Sequence, residues 1–194
     1  MSREIYHTEG IVLDYRNTME ADRIYTVFTK DFGMLKLHAR SIRYGKSKLA
    51  GHMPLFAHTR IAFVYGREIF RLIDAEEIKR PSFSNGTFVV AGRMSHLFSR
   101  LVRGQEPDRA LWDLLLSSFL FLQQRGQANL STKKDLSYFS LLFGVRLLWQ
   151  LGYVDADVFA KEIFLTSWEE ALQNELYRHE LAPIFEQGIR VSQL

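Results

Sequence analysis

The residues of this chain best suited to chemistry are cations. Between Asp31 and Glu68 the sequence holds Lys36, Arg40, Arg43, Lys46, Lys48, Arg60 and Arg67, with His38, His52 and His58, and no acidic residue at all. A one-sign stretch of this kind attracts polyanions and steers their approach. Lys36, His38 and Arg40 alternate with Leu35, Leu37 and Ala39. On a strand, that alternation puts the cations on one face and the apolar residues on the other. The cationic face is a candidate groove for tracking phosphates, with an ordinary solvated face as the competing reading. Arg43, Lys46 and Lys48 fall in the segment RYGKSK, a glycine-containing loop that can close over a nucleic-acid backbone or simply stay solvated. Tyr44 lies inside that loop, where a core role is not expected, so it is the candidate for base stacking. Arg23 follows Asp22 and either meets a phosphate or pairs with Asp22 or Glu20.

A second cationic group is Arg93, Arg100 and Arg103, bordering Leu97 and Phe98. As one helical stripe it would suit an acidic peptide ending in an aromatic carboxylate; a solvated helix face is the alternative. Lys133, Lys134 and Arg146 form a weaker group of the same type. Phe28, Phe63 and Phe70 are expected in the core. Signals for covalent chemistry are missing from the sequence. It has no G-x-S-x-G, no phosphate-binding G-x-x-x-x-G-K-[ST] and no G-x-G-x-x-G. The histidines, His7, His38, His52, His58, His96 and His179, show no i, i+3 or i, i+4 pairing, and there is no cysteine. The expectation is a protein that is not an enzyme and carries no cofactor and no metal.

The elements that must position these residues change character at Lys79-Arg80-Pro81-Ser82. Before it, strands are predicted over Glu9 to Arg16, Arg23 to Lys30, Met34 to Arg40, His58 to Tyr65, and from Glu68 past Asp74 towards Ile78. Turns are predicted at Asp31-Phe32-Gly33 and Gly66-Arg67, and one or two helical turns over Ser47 to Met53, before Pro54. Five strands with a short helix between the third and fourth match the OB-fold, a five-stranded Greek-key barrel, over an SH3-like barrel. After the change the period is helical. Helices are predicted over Thr87 to Val102, from Pro107 as first helical residue through Leu122, and from a Ser131 or Thr132 cap to Gly152. An S-x-x-E capping box at Ser167 and Glu170 opens another, and Pro183 a last one. The reading is an all-β OB-fold domain over 1–80 and an all-α domain over 81–194. Charge follows the same split: 14 Lys+Arg against 10 Asp+Glu in 1–80, and 11 against 12 in the remainder.

Length and composition fit two small domains. The chain has 194 residues, 47% hydrophobic and 13% aromatic, which suits packed cores and argues against disorder. The longest apolar stretch, Leu111 to Leu122, is interrupted by Asp113 and Ser117 and is too short for a bilayer, which takes about 20 residues. The start of the chain carries Arg3, Glu4, His7 and Glu9, unlike a signal peptide. The expected setting is the cytoplasm, with no membrane partner.

The N-terminal text resembles the RecO family of bacterial recombination mediators. The matching residues are Gly10-Ile11-Val12-Leu13, Glu20-x-Asp22-Arg23, Tyr25-Thr26-Val27-Phe28-Thr29-Lys30, Phe32-Gly33 and Ala39-Arg40-Ser41. Lys46-Ser47-Lys48-Leu49-Ala50-Gly51 and Pro54-Leu55-Phe56 continue the match, and Phe143 to Tyr153 (FGVRLLWQLGY) is similar to the family's central helix. The resemblance covers residues 5–80 well, 81–153 in part, and little after 154. It implies an N-terminal OB-fold, a helical C-terminal domain, and binding of single- and double-stranded DNA with annealing of complementary strands. It also implies partnership with RecR and with the acidic C-terminal tail of the single-stranded-DNA-binding protein, so that the recombinase loads, and a nucleoid-associated place in the cytoplasm. Many family members carry a four-cysteine zinc site after the Leu-Gly-Tyr of that helix. Here Leu151-Gly152-Tyr153 runs into Val154-Asp155-Ala156-Asp157, so a shortened form without the zinc module is expected. Two other readings compete: an OB-type RNA-binding protein, and a protein-interaction adaptor whose barrel is only a scaffold.

Overall fold

The computed structural model describes residues 4–45, 47–66, 69–127, 132–155, 162–174 and 180–193. Lys46, Arg67, Ser131 and His179, all singled out in the sequence, lie outside the described residues. The chain divides into two compact units, one of residues 1–81 with 102–112, the other of 82–101 with 113–194.

The first unit is a closed five-stranded barrel in the order β1-β2-β3-β5-β4. Its strands are β1 (Ile5–Thr18), β2 (Asp22–Thr29), β3 (Gly33–Ala39), β4 (His58–Tyr65) and β5 (Phe70–Lys79). This is the expected OB-like architecture. β1 is longer than its apolar run suggests because it serves two neighbours. Ile5 to Ile11 pair with β4, and Gly10 to Thr18 pair with β2. Gly10 stands where the two ladders overlap, and a Cβ there would lie 2.5 Å from Val27 Cγ1. Closure comes from a short parallel pairing, Leu37 with Phe70 and His38 with Arg71. Inward side chains fill the barrel, among them Val12, Tyr25, Val27, Leu35, Leu37, Ile61 and Phe63. Phe63 stacks on Tyr6 and meets Phe32 and Phe70 edge-on.

One local expectation is corrected. No helix forms over Ser47 to Met53; this segment is a run of single turns, with Ala50 N–H donating to Ser47 O and His52 N–H to Leu49 O. The glycine and the polar residues favour isolated i→i+3 turns over a propagating helix. The turn into β3 does need its glycine. Gly33 has φ +63°, and a Cβ on it would meet Glu106 O at 2.5 Å. Glu106 belongs to the segment 102–112, which also places Trp112 against Phe28 and His58.

The second unit is helical. Its elements are α1 (Asn85–Leu101), α2 (Arg109–Gln127, whose first turn belongs to the barrel unit), α3 (Lys133–Gln150), α4 (Glu162–Leu165), α5 (Trp168–Gln173) and α6 (Leu181–Val191). α2 starts two residues later than Pro107 suggests, because the Asp108 carboxylate caps it by accepting from Leu111 N–H. Thr132 caps α3, and Ser167 with Glu170 forms the expected capping box. α3 is the central helix, buried at every position from Leu142 to Leu148. Among the described residues, no helix is long and apolar enough to cross a membrane.

Candidate nucleic-acid interface

The face of interest is built on β2 and β3. Alternation on β3 holds: Leu35, Leu37 and Ala39 are buried, while Lys36 and Arg40 are exposed. Their β2 neighbours on the same outer face are Thr26, opposite Lys36, and Ile24, opposite His38. Asp22 fastens one end. Its carboxylate accepts the Ser41 backbone N–H at 2.7 Å and lies 2.8 Å from His38 Nε2. The Ser41 N–H, with His38 and Arg40 adding to it, holds the Asp22 carboxyl below the usual carboxylate range, against the opposing effect of burial. Ser41 itself sits at φ +54°, so the bond to Asp22 helps hold a strained residue where the chain leaves β3.

The acid-free stretch of sequence is therefore not acid-free in space. His38 faces Asp22, His58 lies 3.0 Å from Glu9, and Arg60 lies 2.6 Å from Glu76. The partners come from β1, β2 and β5, far away in sequence. This sorts the cations. His38 is engaged with a carboxylate, whereas Lys36, Arg40, Arg43 and Lys48 have no carboxylate within ion-pair distance among the described residues. The outer surface around β4 is balanced, with Glu9, Arg60 and Glu76 in cross-strand register. The surface over β2 and β3 keeps its excess positive charge.

The loop after β3 carries the remaining candidates. Arg43 is anchored to the β1–β2 turn: its backbone N–H donates to Ala21 O, and its guanidinium to Glu20 O at 3.3 Å. Tyr44 follows it with 56% of its surface exposed. Lys48 is exposed; Lys46 lies outside the described residues. Arg23 is not on the cationic face. Residue parity on β2 turns it to the side of Tyr25, where its guanidinium lies 4.2 Å over the Tyr15 ring and donates to Asn17 Oδ1 and to the Tyr25 hydroxyl. It pairs with neither Asp22 nor Glu20.

The proposed peptide-binding stripe does not assemble as one helical face. Arg93 and Arg100 are exposed on α1, but α1 ends at Leu101, and Arg103 lies in the segment that groups with the barrel. Leu97 packs towards α3, its Cδ2 lying 3.3 Å from where a Cβ of Gly144 would stand. Arg146 is not a surface cation. It is 6% exposed, donates to Ile163 O and Thr166 O, and stacks 4.1 Å over Trp168.

Sequence reasoning missed two cations that the register places beside this face. Arg16 is the β1 partner of Ile24, and Arg71 is the β5 partner of His38. Parity along Asp14-Tyr15-Arg16 offered a signal for the first. Nothing local marks the second, because parallel β3–β5 pairing joins residues with no hairpin between them.

Comparisons with known proteins point in one direction. The family model described as the N terminal of recombination protein O matches residues 1–80. Among curated relatives, the DNA repair protein RecO of Dehalococcoides mccartyi is 30% identical over 153 residues, 76% of this chain and 56% of that protein. The RecO of Thermodesulfovibrio yellowstonii is 31% identical over 154 residues, 77% of this chain and 58% of its own. That of Gloeothece citriformis is 28% identical over 123 residues, 62% and 44% respectively. The chain spans about half the length of the curated relatives it matches.

Proposed function

Through residues 1–80 the chain belongs to the RecO family, and on that premise we propose that it is a DNA repair and recombination protein that grips the nucleic-acid backbone with the outer β2–β3 face of its barrel. The observation that carries this reading is the sorting of charge. Over β4, Arg60 faces Glu76 and His58 faces Glu9; over β2 and β3, where Asp22 is engaged by His38 and the Ser41 N–H, Lys36 and Arg40, with Arg43 and Lys48 in the adjoining loop, face no carboxylate within ion-pair distance among the described residues. Backbone contacts of this kind bind single and double strands without reading sequence. Tyr44 adds a stacking surface for exposed bases. The protein acts by binding, with no covalent step. It anneals complementary strands and helps load the recombinase onto DNA coated by the single-stranded-DNA-binding protein. Its protein partners are a RecR-like protein and the acidic tail of that coating protein, and it works in the cytoplasm, at the nucleoid. The support for these finer roles is the family resemblance; the relatives' names carry the DNA repair role alone.

The test is binding of a fluorescent single strand, followed by anisotropy across a salt series. Wild type is expected to bind with a steep log–log salt slope. Lys36/Arg40/Arg43/Lys48→Ala is expected to flatten it by about 2.8, at about 0.7 for each phosphate that is no longer neutralised. A wild type that fails to bind at low salt, or a variant with the parental slope, would shift the reading to a protein adaptor.

A further inference from the structure

We propose that Arg16 and Arg71 complete a cation track across β1, β2, β3 and β5, and that the phosphodiester backbone crosses the strands along it instead of running parallel to them. This rests on the nucleic-acid reading above and adds to it two contact residues and a direction.

The register makes the argument. Arg16 pairs with Ile24, Ile24 with His38, and His38 with Arg71. Side chains of cross-strand partners share a face, so these four form one row over four adjacent strands. Three strand-to-strand steps of about 4.8 Å make the row roughly 14 Å long. That accommodates several phosphates of an extended strand. Lys36 on β3 and Arg40 just past its end stand two positions either side of His38, and Ile24 gives the row an apolar floor.

The cations of the track are available and its acids are occupied. Arg16 and Arg71 have no carboxylate within ion-pair distance among the described residues. Arg71 Nε is buried without a hydrogen-bond partner among the described residues. Asp74, beside Arg71 on β5, accepts the Ala75 backbone N–H at 3.0 Å. Asp22 is held by Ser41 and His38, and Asp14 accepts the Tyr15 backbone N–H at 2.8 Å. A track confined to β3 and its loop would leave Arg16 and Arg71 without a role in binding.

The experiment is the same anisotropy salt series on the full chain, with a fluorescent oligothymidylate of about 30 nucleotides. The variants are Arg16→Gln/Arg71→Gln, which keeps most of the side-chain bulk, Arg16→Lys/Arg71→Lys, which keeps charge, and Arg60→Ala on the balanced face. Thermal melts confirm that each is folded. The glutamine pair is expected to flatten the slope by about 1.4, and the lysine pair to restore it. Arg60→Ala is expected to keep the parental slope. Should the glutamine pair keep the parental slope while Lys36/Arg40/Arg43/Lys48→Ala flattens it, the cross-strand track is wrong and the nucleic-acid reading survives. An equal flattening in the glutamine pair and in Arg60→Ala would also overturn the track, since only total charge would then matter. A wild type without salt-dependent binding removes both.

Discussion

Asp22 accepts from the Ser41 N–H and pairs with His38, and so fastens the start of β2 to the end of β3. Its carboxyl titrates below the usual range, chiefly because of the Ser41 N–H. A depressed folded pKa means that the stabilisation is present above the unfolded carboxyl pKa and is lost as pH falls through the folded value. Asp22→Asn keeps an acceptor for Ser41 but removes the charge. It is expected to cost about 1.5–3 kcal/mol at neutral pH, the worth of hydrogen bonds to a charged group. Urea melts should show the gap to wild type narrowing as pH drops below about 4; a gap constant with pH would mean that the charge does not matter. Arg146 behaves differently. Burial pushes its guanidinium down to about 10, yet it stays bonded to Ile163 O and Thr166 O and stacked on Trp168. Removing it strands the buried Ile163 carbonyl and the part-buried Thr166 carbonyl. Arg146→Ala is expected to cost at least about 3 kcal/mol, with loss of the near-ultraviolet signal of Trp168. A change within about 0.5 kcal/mol, the range of ordinary surface substitutions, would show that the residue is only a packed stem.

At the scale of elements, local signals and long-range ones part company. β4 was legible to the residue, because His58 to Tyr65 is a β-branched and aromatic run bounded by a turn. The capping box at Ser167 was legible because its partner is three residues away. The extension of β1 to Ile5 was not, since what holds Ile5 is Val64. The candidate site divides in the same way. The outward set Lys36, His38 and Arg40 follows from period two alone, but the Asp22 and Glu76 that face His38 and Arg60 come from other strands. Helix packing depends on equally distant partners. α3 lies against α6 through Gly144, where a Cβ would fall 2.5 Å from Phe185 Cε2, and through Gly188, where one would fall 2.8 Å from Leu148 Cδ1. The Phe185 ring and the Leu148 chain would have to shift to admit a methyl group. Gly144→Ala is expected to destabilise the helical unit by about 1–3 kcal/mol, even though alanine is the better helix former by about 1 kcal/mol. A thermal melt that rises in this variant would show that the packing relaxes freely.

For the barrel unit as a whole, the strand order limits how nucleic acid can be held. The order β1-β2-β3-β5-β4 is closed, through two residue pairs between β3 and β5. On its outer face a nucleic acid is met by side chains, through phosphate neutralisation and base stacking. These two contributions separate in one plot. Neutralisation sets the slope of log affinity against log salt, because each neutralised phosphate releases counterions. Stacking on an exposed ring involves no ion release, so it moves the whole line and leaves the slope alone. Tyr44 is the exposed aromatic beside the cations, next to Arg43, whose backbone is fastened to Ala21. Tyr44→Ala is therefore expected to lower affinity for a single strand at every salt concentration by the same factor. A stack worth about 1–3 kcal/mol makes that factor roughly 5 to 150. Duplex binding, in which the bases are already stacked on one another, should change little. A slope that flattens with Tyr44→Ala would mean that the ring acts by positioning Arg43 or Lys48 on the backbone. An equal weakening on duplex and single strand would mean that it touches sugar or phosphate instead of bases.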